Sequence, residues 1–151
     1  MFKKILLPLD GSELGESALP YIEELAQATG AEVILLQAIP PPHYDIALAK
    51  HITSHLGEIE KEYTLHATRA ARDYLDTVKE RLVKRGIKVQ WEVREGSPAE
   101  AILDYVKEKD VNLIAMSTHG RTGVSRWVFG SVAEKVLHAA EVPVLMVRTK
   151  T

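Results

Sequence analysis

The sequence predicts an α/β protein with a doubly wound, five-stranded parallel sheet and helices on both faces. Five short apolar segments alternate along the chain with amphipathic, helix-like segments, which is the order that parallel sheets require. Segments such as Leu113 to Met116 are apolar throughout, as expected of strands buried on both faces. The 151 residues are 46% hydrophobic and 26% charged, which fits one soluble domain over residues 1–151.

The first half of the chain predicts two strands and one helix. Phe2 to Leu9 and Val33 to Ile39 are apolar runs of strand length, and the prolines at 40–42 end the second run. Ser12 is the expected N-cap of the intervening helix, and Gly30 ends that helix. The expected buried face of this helix consists of apolar residues at helical spacing: Ala18, Leu19, Ile22, Leu25 and Ala26.

The middle of the chain predicts a long helix, an edge strand and a well-marked helix start. A helix from Ile59 to Val83, ended by Gly86, has an apolar residue every three or four positions. Its expected core stripe is Ile59, Tyr63, Ala67, Ala70, Tyr74, Val78 and Leu82. Val89, Trp91 and Val93 alternate with polar residues, which predicts a strand at the sheet edge. Ser97-Pro98-Ala99-Glu100 predicts a capping box with proline at the first helical position.

The last third predicts a strand, a helix and a strand around a glycine-bearing loop. The strand Leu113 to Met116, the helix Ser131 to Ala140 and the strand Val142 to Val147 follow in this order. Gly120 and Gly130 flank the loop and would let the backbone approach an anion closely. Backbone N–H groups at a helix N-terminus favour phosphate, so this segment predicts a phosphate cradle. No lysine follows a glycine as in a Walker A loop.

The glycines of this loop resemble those of the universal stress protein family, the UspA-type proteins. Nucleotide-binding members carry G-x2-G-x9-G-[S/T], and this chain has Ser117-x2-Gly120-x9-Gly130-Ser131, with serine at the first glycine. If the φ of Ser117 were positive, the substitution would introduce strain on the order of 1 kcal/mol. The resemblance extends over nearly the whole chain, through four segments: 5–12, 32–39, 96–99 and 142–147.

The resemblance implies strand order 3-2-1-4-5, an adenine nucleotide alpha hydrolase-like fold, with a ligand where strands 1 and 4 diverge. It implies ATP, AMP or ADP as ligand, with or without Mg²⁺, and a homodimer formed through Val142 to Val147. The adenine edge would meet the main chain of Ala38. The implied binding residues are Pro8, Leu9, Asp10, Ala38, Met116, Ser117, His119, Gly120, Arg121, Gly130, Ser131 and Val132.

From position alone, several of these residues have an ordinary structural alternative. Asp10 is as well explained by a cap or turn before the first helix as by ligand contact. Ser131 is also an expected helix N-cap. His119 and the flanking arginines, Arg121 and Arg126, are more often packed or solvated loop residues than phosphate contacts.

Composition excludes several classes of function. The chain has no cysteine, so thiol chemistry and disulfides are excluded, and a net charge of −2 gives no reason to expect nucleic-acid or membrane binding. The first residues fit a strand rather than a signal peptide, so we expect a cytoplasmic protein. His51 and His55, with Glu58 nearby, are weak evidence for a metal site. Tyr63, Tyr74 and Leu82 are expected in the core.

No catalytic constellation emerges from the sequence, which leaves three classes of function open. The first is a nucleotide-dependent stress-response regulator with an unknown protein partner. The others are a slow ATPase or nucleotide-transfer enzyme, and a dimeric scaffold that binds no nucleotide. A phospho-receiver domain is disfavoured for two reasons. Gly11-Ser12 follow Asp10, where such a domain needs an acidic pair. Arg94-Glu95 end the third strand, where it needs a phosphorylatable aspartate.

Overall fold

A five-stranded parallel sheet forms the centre of the computed structural model, which describes residues 1–42, 55–118 and 130–149. The strand order is β3-β2-β1-β4-β5, which confirms the predicted fold class and order. The strands are β1 (Lys4–Pro8), β2 (Glu32–Ile39), β3 (Val89–Glu95), β4 (Leu113–Ser117) and β5 (Val144–Val147). β3 lies at an edge, as its alternating pattern predicts.

Four α-helices and one 3-10 turn surround the sheet in the described ranges. They are a 3-10 turn (Gly15–Ala18), α1 (Leu19–Thr29), α2 (Leu56–Val83), α3 (Pro98–Lys109) and α4 (Ser131–Ala139). No helix in these ranges has both the length and the apolar character that a membrane span requires.

Two apolar layers hold the helices against the sheet. On one face, Leu7 of β1 and Leu35 of β2 pack with residues of α1 and α2, including Leu75. On the other face, Leu6 packs with residues of α3 and α4, including Ile102. Alternate strand residues therefore serve opposite layers, and each buried Leu or Ile contributes about 1.5–3 kcal/mol.

The helix after β1 begins later than the sequence predicts. Ser12 is not the N-cap of α1, because a 3-10 turn intervenes and α1 starts at Leu19. The Ser12 hydroxyl instead accepts a hydrogen bond from the Gly15 N–H at 3.0 Å. Gly11 has a φ of 84°, so the chain turns sharply after β1 before it can become helical. The end of α1 at Gly30, in the left-handed conformation, is confirmed.

The predicted core stripe of α2 is correct only in the second half of the helix. Its buried residues are Ala71, Leu75, Val78 and Leu82, while Ile59 and Tyr63 are 39% and 41% exposed. The helix has 28 residues, about 42 Å, whereas the eight residues of β2 span only about 26 Å. The first half of α2 therefore extends beyond the carboxyl edge of the sheet.

Two predicted helix caps differ from the structure in detail. α3 begins at Pro98 as expected, but the Ser97 side chain makes no capping hydrogen bond. Gly130 occupies the N-cap position of α4, so Ser131 is the first helical residue rather than the N-cap. β1 and β5 are also shorter than predicted, because Phe2, Leu9 and Val142 lie outside the strands Lys4–Pro8 and Val144–Val147.

Candidate functional site

A cavity of about 560 Å³ opens at the carboxyl ends of β1, β2 and β4, where the order of the sheet reverses. The middle of α2, from Tyr63 to Tyr74, the start of α3 and the start of α4 form its other walls. Nine of the residues predicted for a site line this cavity: Pro8, Leu9, Asp10, Ala38, Met116, Ser117, Gly130, Ser131 and Val132. The other three, His119, Gly120 and Arg121, lie outside the described residues, as does Arg126.

Asp10 lies on the cavity wall and also closes the turn after β1. Its Oδ1 atom accepts hydrogen bonds from the Ser12 N–H at 2.9 Å and the Ser12 hydroxyl at 2.5 Å. A Cβ on Gly15 would lie only 2.7 Å from this oxygen, so the glycine lets the carboxylate approach the 3-10 turn. The turn role that position suggested for Asp10 is therefore present, and it fixes the carboxylate at the mouth of the cavity.

The N-terminus of α4 supplies the positively polarised end of the cavity. The N–H groups of the first helical turn, at Ser131, Val132 and Ala133, have no partner within the helix, and all three residues line the cavity. The Gly130 N–H donates to the Thr118 carbonyl oxygen at 3.0 Å, which ties the helix start to the end of β4. Donors and helix dipole together favour an anion here.

The fold itself does not require glycine at position 130. Gly130 has a φ of −52°, which any residue adopts. A Cβ there would lie 3.5 Å from the Thr118 carbonyl oxygen, an ordinary contact distance. The absence of a side chain therefore keeps the cavity open without relieving strain in the backbone.

Ser117 introduces no backbone strain at the first position of the glycine frame. It is the last residue of β4 and pairs with Val147 of β5. Asp110 is the one described non-glycine residue with a positive φ, so Ser117 does not adopt a conformation that favours glycine. Its substitution for glycine is thus compatible with an unstrained strand end.

Gln37, on the cavity wall at the end of β2, is a residue that sequence reasoning did not select. Its side chain is 8% exposed, and its Oε1 atom has no hydrogen-bond partner in the described part of the chain. The signal was present in the sequence, because Gln37 is the one polar residue between Val33 and Ile39.

These features can be compared with known proteins. The family model described as the universal stress protein family matches residues 1–148. The chain belongs to this family. Universal stress protein MJ0531 of Methanocaldococcus jannaschii is 32% identical over 148 residues, which cover 98% of this chain and 83% of the relative. Family membership confirms the resemblance that the glycine frame and its flanking segments indicate.

Solved structures confirm the fold of this universal stress protein. The structure of protein MJ0577, also from M. jannaschii, is similar with a TM-score of 0.85 at 33% identity, covering 100% of this chain and 99% of that one. A universal stress protein from Archaeoglobus fulgidus in complex with dAMP has a TM-score of 0.64 at 20% identity, covering 97% of each chain.

Two tyrosines of this universal stress protein lie on the cavity wall rather than only in the core. Tyr63 is 41% exposed, so the prediction that it belongs to the core stripe is wrong. Tyr74 is partly buried and packs against the core as predicted, and it also lines the cavity. The Tyr74 hydroxyl donates to Glu16 Oε2 at 3.0 Å, and Arg81 forms an ion pair with Glu16 Oε1 at 2.7 Å. Burial, followed by the Glu16 carboxylate, raises the pKa of Tyr74.

The described residues contain no group of three His, Cys, Asp or Glu side chains arranged to hold a metal ion. His55 Nδ1 lies 3.8 Å from Glu58 Oε2 in an exposed pair at the start of α2, and His51 lies outside the described residues.

Proposed function

We propose that this protein binds an adenine nucleotide in the cavity between β1 and β4. The ligand is ATP or its products AMP or ADP, with or without Mg²⁺. In this proposal the protein is a stress-response regulator, and bound nucleotide changes its interactions with partners. The cavity volume of about 560 Å³ lies in the range typical of small-molecule sites. The dAMP complex of the A. fulgidus relative supports the choice of an adenine nucleotide.

This proposal depends mainly on one observation at the start of α4, where N–H groups without a partner inside the helix lie beside a glycine that adds no side chain. N–H groups of the first turn of α4 line the cavity, and Gly130 leaves room beside them that the fold does not need. Such a site suits the phosphates. In the proposal, His119, Gly120 and Arg121 complete the phosphate side, together with Ser117, Ser131 and Val132.

The remaining walls suit a nucleoside. Asp10 provides a carboxylate that can accept hydrogen bonds from sugar hydroxyls at the carboxyl end of β1. The main chain of Ala38, at the end of β2, faces the adenine edge in this proposal. Pro8, Leu9 and Met116 supply apolar surface for the base and sugar. A positively polarised end at α4 and an apolar end thus match the phosphates and the nucleoside.

We propose a regulator rather than an efficient enzyme. Nucleotide hydrolysis needs a positioned water and a metal held by the protein, and among the described residues only Asp10 offers a carboxylate on the cavity wall. The two alternatives to a regulator are a slow ATPase and a scaffold that binds no nucleotide. As further parts of the proposal, residues 1–151 form one cytoplasmic domain that dimerises through Val142 to Val147.

The test compares Gly130→Ala with Gly57→Ala, which adds the same methyl group to an exposed turn of α2 with no atom within 4 Å. Gly130→Ala makes the unfolded chain less flexible, and this gain offsets the poorer N-cap. The free energy of unfolding of this variant should therefore change by less than about 0.5 kcal/mol. Calorimetry with ATP or AMP, with Mg²⁺ present, should show at least about tenfold weaker binding for Gly130→Ala alone.

Two results contradict the proposal at different levels. If the unmodified protein binds neither nucleotide, nucleotide binding is wrong and the scaffold alternative is favoured. If it binds but Gly130→Ala binds equally well, the phosphates do not lie against the start of α4. Turnover of ATP that disappears in Asp10→Ala would favour the slow ATPase.

A further inference from the structure

Gln37 carries a buried polar group that the fold leaves without a partner. Leu35 belongs to the apolar layer beneath α2, and Gln37, two residues further along β2, lies on the same face of the sheet. Its Nε2 atom lies 3.9 Å from the position that a Cβ on Gly11 would take, so the carboxamide reaches towards the turn that follows Asp10. Its Oε1 atom is buried and accepts no hydrogen bond in the described ranges.

An unpaired buried acceptor costs stability, whereas an apolar side chain of the same shape would not. A residue that makes the empty protein less stable is typical of a functional site. The space beside Gln37 is part of the cavity, and the facing wall of α2 is built from small residues, Ala67, Ala70 and Ala71. Gln37 therefore lies on the wall of a volume that a ligand can enter.

We propose that the Gln37 carboxamide recognises the bound nucleoside, with Oε1 accepting a hydrogen bond from a ligand donor. This inference rests on the proposed nucleotide-binding function and adds a side chain that determines specificity. The donor is an N–H or O–H of the nucleoside, either the exocyclic amine of the base or a sugar hydroxyl. Both groups suit a neutral amide acceptor on a largely apolar wall.

The experiment replaces Gln37 by methionine, which has similar length and no hydrogen-bonding oxygen. Gln27→Met is the matched control, because Gln27 is exposed and lies outside the cavity, and its Nε2 donates to the Arg85 carbonyl oxygen at 3.1 Å. Gln37→Met should unfold about 2–4 °C higher than the unmodified protein when no ligand is present. It should also bind ATP about tenfold more weakly by calorimetry. The control should show neither change.

Ligand analogues identify the donor. The series is ATP, purine riboside 5′-triphosphate, which lacks the 6-amino group, 2′-deoxy-ATP and 3′-deoxy-ATP. For the unmodified protein one analogue should bind about tenfold more weakly than ATP, and for Gln37→Met this difference should disappear. Loss with the purine riboside identifies the base amine, and loss with a deoxy analogue identifies the sugar hydroxyl.

The outcomes separate this inference from the proposed function. If the unmodified protein binds no adenine nucleotide, the proposed function fails and this inference with it. If it binds ATP and Gln37→Met binds as tightly, only the role of Gln37 is wrong. A lower unfolding temperature for both Gln37→Met and Gln37→Leu would show that the amide stabilises the fold. Equal binding of all four nucleotides by the unmodified protein would overturn the inference without any variant.

Discussion

Asp10 illustrates how one residue can serve both the fold and the site. Its Oδ1 atom holds the turn after β1 through two hydrogen bonds from Ser12, and the same carboxylate borders the cavity. A single sequence position could not separate the two roles, because a carboxylate after a parallel strand suits either one. Variants that keep the acceptor but remove the charge can separate them.

Asp10→Ala should lower the free energy of unfolding by about 1–2 kcal/mol, because it removes both hydrogen bonds of the turn. Asp10→Asn keeps an oxygen acceptor at the same place and should keep most of this stability. Both should bind ATP at least about tenfold more weakly if the charged carboxylate holds the sugar. Urea unfolding and calorimetry measure the two effects, and an unstable Asp10→Asn with intact binding would contradict this assignment.

Ser117 provides a second test at the level of single residues. Because Ser117 is extended and unstrained, Ser117→Gly relieves nothing in the backbone. We expect it to lower the free energy of unfolding by about 0.5–1 kcal/mol, through the greater freedom of glycine in the unfolded chain. Nucleotide affinity should change less than about threefold. A large gain in affinity would instead show that the serine side chain obstructs the ligand.

Secondary-structure elements were well predicted where their pattern depends on burial, and less well where it depends on the path of the chain. The alternating strand and helix segments follow from apolar periodicity, which the sequence displays directly. The capping roles of Ser12 and Ser131 depend on where the preceding loop enters the helix, and neither serine is an N-cap, although the last helix begins at Ser131 as predicted. The exposure of Tyr63 depends on the length of α2 relative to the sheet, which periodicity does not reveal.

The docking of α2 onto the 3-10 turn depends on Tyr74. Its hydroxyl donates to Glu16, and the free energy of unfolding should fall by about 1 kcal/mol in Tyr74→Phe at neutral pH. Tyr21→Phe, which alters a 55% exposed tyrosine, is the control and should have little effect. Urea unfolding at pH 7 measures both variants.

The raised pKa of Tyr74 gives this interaction a definite pH dependence. The unfolded chain loses the phenol proton near pH 10, roughly the ordinary tyrosine value, while the folded protein keeps it to higher pH. The contribution of Tyr74 is therefore complete below about pH 10 and decreases as the pH rises further. The difference in free energy of unfolding between the unmodified protein and Tyr74→Phe should narrow as the pH rises above about 10, and a constant difference would contradict this explanation.

At the scale of the whole molecule, the location of the cavity was predictable and its interior was not. The reversal of strand order between β1 and β4 follows from the family resemblance, and it places the cavity at their carboxyl ends. Gln37 was missed because a polar residue in a buried strand can be satisfied in many ways. Only the three-dimensional arrangement shows that its oxygen has no partner among the described residues and that Gln37 lies on the cavity wall.

Assembly is the remaining property of the whole molecule that the sheet makes testable. In the part of the chain that the structure describes, β5 pairs with β4 alone and forms one edge of the sheet. Ile114 and Thr118 donate to the carbonyl oxygens of Pro143 and Val147, so residues 143, 145 and 147 direct their backbone groups towards β4. The N–H groups of Val144 and Met146 therefore point outwards, where a second copy could pair.

Met146→Pro removes one outward N–H group without removing a donor from the β4 ladder. If two copies pair through β5, this variant should be a monomer of 16.8 kDa by light scattering, whereas the unmodified protein should show twice that mass. Met146→Ala is the matched control, because it loses the same packing against the apolar layer of α3 and α4 but keeps the N–H group. It should remain a dimer. A monomeric Met146→Ala would show that the interface depends on side-chain packing. A dimeric Met146→Pro would exclude backbone pairing through Met146, because an edge strand without this N–H group cannot complete the ladder.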